Sequence, residues 1–216
     1  MILDYSGAAE LYDRQGIGRT MGLGKRPAVL VVDFTEGFTS PESPMGVDMS
    51  DSVKATRRLL DVARSYRLPV VYTVNGYRDD LLDAGVWPQK FPSLKTLVLG
   101  SRWTRIDERI TPEAEDLILE KQYPSAFFGT TLASALAARG VDSLILTGTT
   151  TSGCIRMTAV DALQHGYRTY IPEECVCDRH EAPHRANLFD LGSKYVDVGT
   201  LDALLDQWRE NPPRFE

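Results

Sequence analysis

Short apolar runs alternate along the chain with segments whose apolar positions recur every three or four residues, so buried strands are expected to alternate with amphipathic helices. The run PAVLVVD is apolar without a break up to Asp33, the pattern of a central parallel strand buried on both faces. Residues 52–66 then read as a helix, with Val53, Leu59, Leu60, Val62 and Ala63 inward and Asp51 or Ser52 as its cap. Further strands are expected at 69–77, at 116–122 with Lys121 near the carboxyl end, at the run Leu144, Ile145, Leu146, at 168–176 and at 195–198. Further helices are expected at 130–139, stopped by Gly140, from Cys154 to Gly166, at 182–192 and at 201–208.

This alternation predicts an α/β fold. Right-handed crossovers place helices on both faces of a doubly wound, six-stranded, mostly parallel sheet, which makes a three-layer sandwich. Residues 1–26 are polar and glycine-punctuated, with a weak helical signal at 8–12, and read as an N-terminal arm lying on the body or on a neighbouring subunit. Residues 27–216 read as a single domain. The connection 78–112 is long and carries Trp87 and Trp103, which suits a lid or a contact surface.

In such sheets ligands bind beyond the carboxyl ends of the strands, which turns attention to the residues delivered there. Asp33 closes the first strand and Lys121 the third, while Cys154 follows the fourth and Arg179 the fifth. A carboxylate at the end of a buried strand is costly unless it reaches solvent or holds a cation. Cys154 sits where the turn 148–153 hands a strand over to a helix. Unpaired N–H groups and the helix dipole there bias a thiol toward thiolate and suit an oxyanion, although a buried cysteine also serves as a small packing residue. If Asp33, Lys121 and Cys154 meet, a base, a charge and a nucleophile are present together. A Cys–His dyad using His180 or His184 is the alternative, and His165 reads as a surface or C-capping residue.

Composition narrows the partners. The 216 residues are 43% hydrophobic and 25% charged, with a net charge of −6, as in an ordinary soluble globular protein. That charge, without a basic block, argues against nucleic acid and anionic membranes. No apolar run is long enough to span a bilayer and the N-terminus is acidic where a secretory signal is basic, so the expected location is cytoplasmic. Three cysteines make no disulfide framework, and Cys175 and Cys177 read as strand-packing residues rather than half of a zinc site.

With the motifs RPAVLVVDF, EKQYPSAFFGT, TGTTTSGCIRMTAVDALQHGY and CDRHEAPHRANLFDLGSKY in view, the chain resembles the isochorismatase-like cysteine hydrolases. The likeness extends to the branch holding N-carbamoylsarcosine amidase and maleamate amidohydrolase, and it runs from Gly22 to the C-terminus. It implies that Cys154 is the nucleophile, Asp33 the general base and then acid, and Lys121 the charge that orients them. It further implies a cis peptide between Thr149 and Thr150, an oxyanion hole from the N–H groups of Thr150 and Cys154, and a substrate carboxylate gripped by Arg179 with help from Thr150. His180 is a candidate for a polar contact, and Tyr77, Trp87, Phe127 and Trp103 are candidates to wall the pocket. NGYRDDLLDAGVWPQKF has no histidine where nicotinamidase-like members carry a metal motif, which argues against metal and against nicotinamide.

The resulting expectation is a cofactor-free cysteine amidohydrolase, active as a homotetramer. It would release ammonia from a small carboxylate-bearing amide of N-carbamoylsarcosine-like or maleamate-like form, using water to clear a Cys154 thioester. Another carbamoyl compound such as biuret or ureidoacrylate, or a non-catalytic oligomeric binding protein of the same fold, is the alternative.

Overall fold

The computed structural model of the chain describes residues 5–214. Its strands are β1 (Pro27–Val32), β2 (Val70–Asn75), β3 (Leu117–Lys121), β4 (Ser143–Thr149), β5 (Arg168–Pro172), β6 (Val176–Cys177) and β7 (Asp197–Gly199). The helices are α1 (Ser6–Arg14), α2 (Glu36–Thr39), α3 (Ser50–Ser65), α4 (Trp87–Lys90), α5 (Leu132–Ala138), α6 (Arg156–Gln164), α7 (Glu181–Lys194) and α8 (Leu201–Glu210).

The strands form one seven-stranded sheet in the order β3-β2-β1-β4-β5-β7, with β6 also pairing to β4 and every pairing parallel. Six strands were expected. The difference lies in 168–176, where Pro172 and the acidic pair Glu173–Glu174 open a helical turn that ends β5 and lets β6 switch to the end of β4. Pro172 has no N–H to extend a ladder, so a continuous strand is broken there.

Alternate residues of β1 show why its run is apolar throughout. Ala28, Leu30 and Val32 join a core with Leu132, Leu136, Ala159, Ala162, Leu188 and Leu191, from α5, α6 and α7. Val29 and Val31 join the opposite core, with Val53, Leu59 and Leu60 of α3 and Leu201, Leu204, Leu205 and Trp208 of α8. A central strand clad by helices on both sides needs apolar residues of either parity. The helix α3 opens at Ser50, and neither Asp51 nor Ser52 caps it, since Met49 holds the cap position with no side-chain bond.

Residues 78–112 fold as a series of short helical turns over the carboxyl edge of the sheet. Leu94 and Leu97 there share a third apolar cluster with Phe38, Met45, Tyr77 and Ala84. The N-terminal arm lies on the body. Tyr5 and Tyr12 stack on Phe189 of α7 at 4.4 and 5.9 Å, and the N–H groups of Met21 and Gly22 donate to the Asp197 carboxylate. Among the described residues no helix is long and apolar enough to cross a membrane.

Candidate active site

Parallel register brings the carboxyl ends of the central strands level. Val32 lies beside Thr73 and Gly148, and Asn75 beside Lys121, so the residue after β1 faces the last residues of β2 and β3. That residue, Asp33, turns the chain sharply with φ of +55°, a left-handed conformation uncommon outside glycine. Gly148 makes a second close approach. Its φ is +124°, and a Cβ there would lie 2.0 Å from the Val32 carbonyl oxygen, so β1 and β4 meet at this point only through a glycine.

Asp33 and Lys121 are almost wholly buried and paired, with Lys121 Nζ donating to Asp33 Oδ2 at 2.6 Å. The other ammonium protons are also engaged. One points to the Tyr123 carbonyl at 3.0 Å and one to Cys154 Sγ at 3.6 Å. The second carboxylate oxygen, Asp33 Oδ1, accepts from the Thr73 hydroxyl at 2.8 Å. An isolated charge at such depth is strongly disfavoured, so each ion here is held by the other and by surrounding hydrogen bonds. Burial alone would depress the Lys121 ammonium, but the adjacent Asp33 and Cys154 outweigh it and the net direction is upward.

Cys154 is 4% exposed, on a single turn over Thr151–Ile155 that departs from helical geometry at Gly153 before α6 begins. Burial pushes its thiol up to about 12, with Lys121 pulling the other way and Asp33 reinforcing the rise. Burial of the sulfur thus works against the thiolate bias read from the strand–helix junction, and the Lys121 ammonium works with it. The peptide between Thr149 and Thr150 is cis, and Thr150 is buried.

Two contacts brace the turn that carries Cys154, from α7 and the segment before it. The Asp178 carboxylate accepts from the Ser152 N–H at 2.7 Å, and His184 Nδ1 lies 2.8 Å from the Thr151 hydroxyl. Burial lowers the His184 imidazolium below its usual range, which suits a neutral ring in that bond.

Arg179 follows β6 rather than the expected single fifth strand, and it still reaches this edge. Its Nε donates to the Met45 carbonyl at 2.9 Å, and its guanidinium lies over Phe91 and Phe38 at 5.2 and 5.8 Å. Nη2 is buried without a partner. Burial lowers this guanidinium, with Asp178 and Cys154 opposing.

The remaining predicted residues fall in several places. Tyr77 is fully buried and donates its hydroxyl to the Gln122 carbonyl at 3.2 Å; burial raises its phenol, and Cys154 and Asp33 act on it in the same direction. Trp87 bridges the first and third apolar clusters, and Trp103 packs on the third. Phe127 belongs to the first core, packing on Tyr167 at 6.0 Å, and its other side stacks on the exposed His165 at 4.8 Å. His180 is exposed and caps α7, its Nδ1 accepting the Ala182 N–H at 3.1 Å. His184, not His180, touches the turn that carries Cys154, and neither histidine is bonded to Cys154 Sγ.

Sequence reading missed Thr73 and Asn75. Their signal was present, since both are polar inside the otherwise apolar strand 69–77. Cys175 is buried in the second core, within the helical turn after β5, and Cys177 sits in β6. Among the described residues no three His, Cys, Asp or Glu side chains gather in a metal-binding arrangement. A cavity of about 740 Å³ lies at the opposite edge of the sheet, lined by Arg26, Arg64, Asp116 and Arg139, and shares no residue with this cluster.

Comparison with known proteins agrees with the fold. The isochorismatase domain matches residues 27–203. Maleamate amidohydrolase of Pseudomonas putida is 45% identical over 198 residues, covering 90% of this chain and 93% of that protein. N-carbamoylsarcosine amidase of an Arthrobacter species is 35% identical over 218 residues, covering 98% and 82%. A cysteine hydrolase from Pseudomonas syringae pv. phaseolicola superposes with a TM-score of 0.84 at 25% identity, covering 90% and 97%.

Proposed function

This chain belongs to the isochorismatase family and is a hydrolase of carbon–nitrogen bonds in linear amides; from that premise we propose that it works through a Cys154 thioester on a small amide bearing a carboxylate. The observation that carries the reading is the contact of Lys121 with both Asp33, at 2.6 Å, and Cys154, at 3.6 Å, in a nearly solvent-free setting.

In the proposed reaction, the substrate carbonyl settles against the N–H groups of Thr150 and Cys154. Asp33 takes the thiol proton as the sulfur attacks the carbonyl carbon, and the two N–H groups stabilise the oxyanion. Lys121 keeps the Asp33 carboxylate in place and offsets charge on the sulfur. When the tetrahedral species collapses the C–N bond breaks, and the proton held on Asp33 passes to the departing nitrogen to give ammonia. Asp33 then removes a proton from water. The resulting hydroxide attacks the thioester, the C–S bond breaks, and the proton returns to Cys154. Burial pushes the thiol up, which favours proton transfer to Asp33 in concert with attack.

Arg179 supplies the recognition end. A buried guanidinium with one nitrogen left over suits a carboxylate, which would complete its hydrogen bonding and its charge together. Maleamate-like and N-carbamoylsarcosine-like compounds both combine a carboxylate with a terminal carbonyl–NH₂ group. A homotetramer would cover some of the exposed apolar residues, such as Leu82, Val86 and Phe128, and light scattering tests that assembly.

Ammonia release is measured from maleamate, N-carbamoylsarcosine, ureidoacrylate, biuret and nicotinamide. Turnover strongly favouring the carboxylate-bearing compounds over neutral amides is expected. Silence on all five, or preference for nicotinamide or biuret, overturns the reading.

A further inference from the structure

Asn75 holds a buried oxygen for which the fold provides no partner. Thr73 and Asn75, with Tyr77 just past the end of β2, stand at alternate positions, and side chains at that spacing emerge on one face of the sheet. Both neighbours of Asn75 in this row bear on the reacting groups. The Thr73 hydroxyl donates to Asp33, and the Tyr77 phenol lies close enough to Cys154 and Asp33 for their charge to act on it. Asn75 stands between them with no exposed surface, in register with Lys121.

Its amide can face only one way. Nδ2 donates to the Lys121 carbonyl at 3.3 Å, and turning the group over would set oxygen against oxygen. The Tyr77 hydroxyl, two positions on, spends its proton on the Gln122 carbonyl at 3.2 Å and so does not donate to Asn75. With the NH₂ group turned to the Lys121 carbonyl, Oδ1 is left buried without a donor. Native chains seldom leave such an atom unmet, and the exceptions gather where a ligand completes the bond.

We infer that Asn75 Oδ1 accepts an N–H of the scissile amide, making Asn75 a substrate-positioning residue that selects a primary amide over an ester. The inference rests on the amidohydrolase reading above. It also matches two of the unmet buried atoms to the two ends of one substrate: Arg179 Nη2 offers a donor for the carboxylate, and Asn75 Oδ1 offers an acceptor for the NH₂ group. With one N–H held by Asn75, the nitrogen is fixed on the side from which Asp33 returns its proton. A site that hydrogen-bonds a substrate N–H discriminates strongly against an analogue lacking it, because its own polar atom is then left unpaired.

The test compares maleamate with monomethyl maleate, which keeps the carboxylate and the carbonyl but carries O–CH₃ in place of NH₂. In Asn75→Leu, kcat/KM for the amide should fall roughly 10- to 100-fold further than for the ester. Equal losses on both, as expected if Asn75 only braces the Lys121 backbone, overturn the inference, as does no loss. If that variant does not fold, a crystal of the Cys154→Ala protein with maleamate decides: Oδ1 within about 3.2 Å of the amide nitrogen is expected, and beyond about 4 Å refutes it. A wild type inert toward every amide tested removes the proposed function and this inference with it, whereas an active wild type with parallel losses removes this inference alone.

Discussion

Lys121 Nζ and Asp33 Oδ2 lie 2.6 Å apart with neither side chain exposed to solvent, so each charge is compensated by the other and by a short list of hydrogen bonds. Removing one partner from such a pair leaves an uncompensated buried charge. Lys121→Met should therefore destabilise the protein by about 3–5 kcal/mol in urea unfolding. The double variant Asp33→Asn with Lys121→Met should recover part of that loss, since no net charge is then stranded. Both should be inactive. A double variant no more stable than Lys121→Met alone would show that the pair's charge is not what the site compensates.

Arg179→Met addresses substrate recognition. The substitution keeps an apolar side chain against Phe38 and Phe91 while removing the unpartnered Nη2. KM for a carboxylate-bearing amide should rise by about two orders of magnitude, the scale of a lost charged hydrogen-bonding contact, with kcat for a neutral amide little changed. Steady-state ammonia assays on both substrates measure it. Parallel losses would remove the carboxylate-binding role.

Gly148→Ala should be far more damaging than Gly166→Ala. At Gly148 the added methyl meets the Val32 carbonyl at 2.0 Å in a backbone conformation already closed to most residues, whereas at Gly166 the φ of +86° is unfavourable but the space is open. Loss of soluble protein or more than about 3 kcal/mol is expected for the first, and about 1–2 kcal/mol for the second. Thermal unfolding of the two purified variants ranks them.

These three positions also show how far the chain could be read before its fold was known. Asp33 and Lys121 announced themselves by ending apolar strands, because a charge is conspicuous where burial on both faces is required. Cys154 stood out by its place between strand and helix, whereas Gly148, expected to open the turn, belongs to β4, and only its close approach to Val32 shows why it is glycine. The protonation state of Cys154 was not legible, because it depends on how completely water is excluded by residues distant in sequence. Thr73 and Asn75 could have been noticed as polar interruptions of β2, but their partners are Asp33 and Lys121, and only strand register brings those together. The switch from β5 to β6 was written in Pro172, Glu173 and Glu174, which interrupt 168–176, but which strand the chain joins after them is set by packing against β4. His180 as a helix cap was hidden by chemistry, since imidazole is an unusual cap compared with serine or aspartate.

Alkaline pH offers a test of buried thiols. Burial moves Cys154 from an ordinary 9.0 up to about 12, and Cys175 and Cys177 move in the same way. A raised pKa means that the folded state keeps a proton the unfolded state has lost. The associated stability is complete below pH 9 and declines as pH climbs from 9 toward 12. Lys121, raised from 10.5, adds to the fall at the upper end of that range. Melting temperature should thus be level from neutrality to about pH 9 and then drop, less steeply in Cys154→Ala. An identical slope in that variant would mean the Cys154 thiol ionises as easily folded as unfolded.

The role of Cys154 is tested most directly by a single-turnover experiment. Wild-type protein in excess over maleamate is quenched in acid at successive times, with ammonia counted and the peptide containing Cys154 weighed. One equivalent of ammonia should appear together with, or ahead of, free maleate, with a transient acyl mass on Cys154, and the Cys154→Ala protein should show neither. Ammonia released by Cys154→Ala at the wild-type rate would contradict a thioester at Cys154.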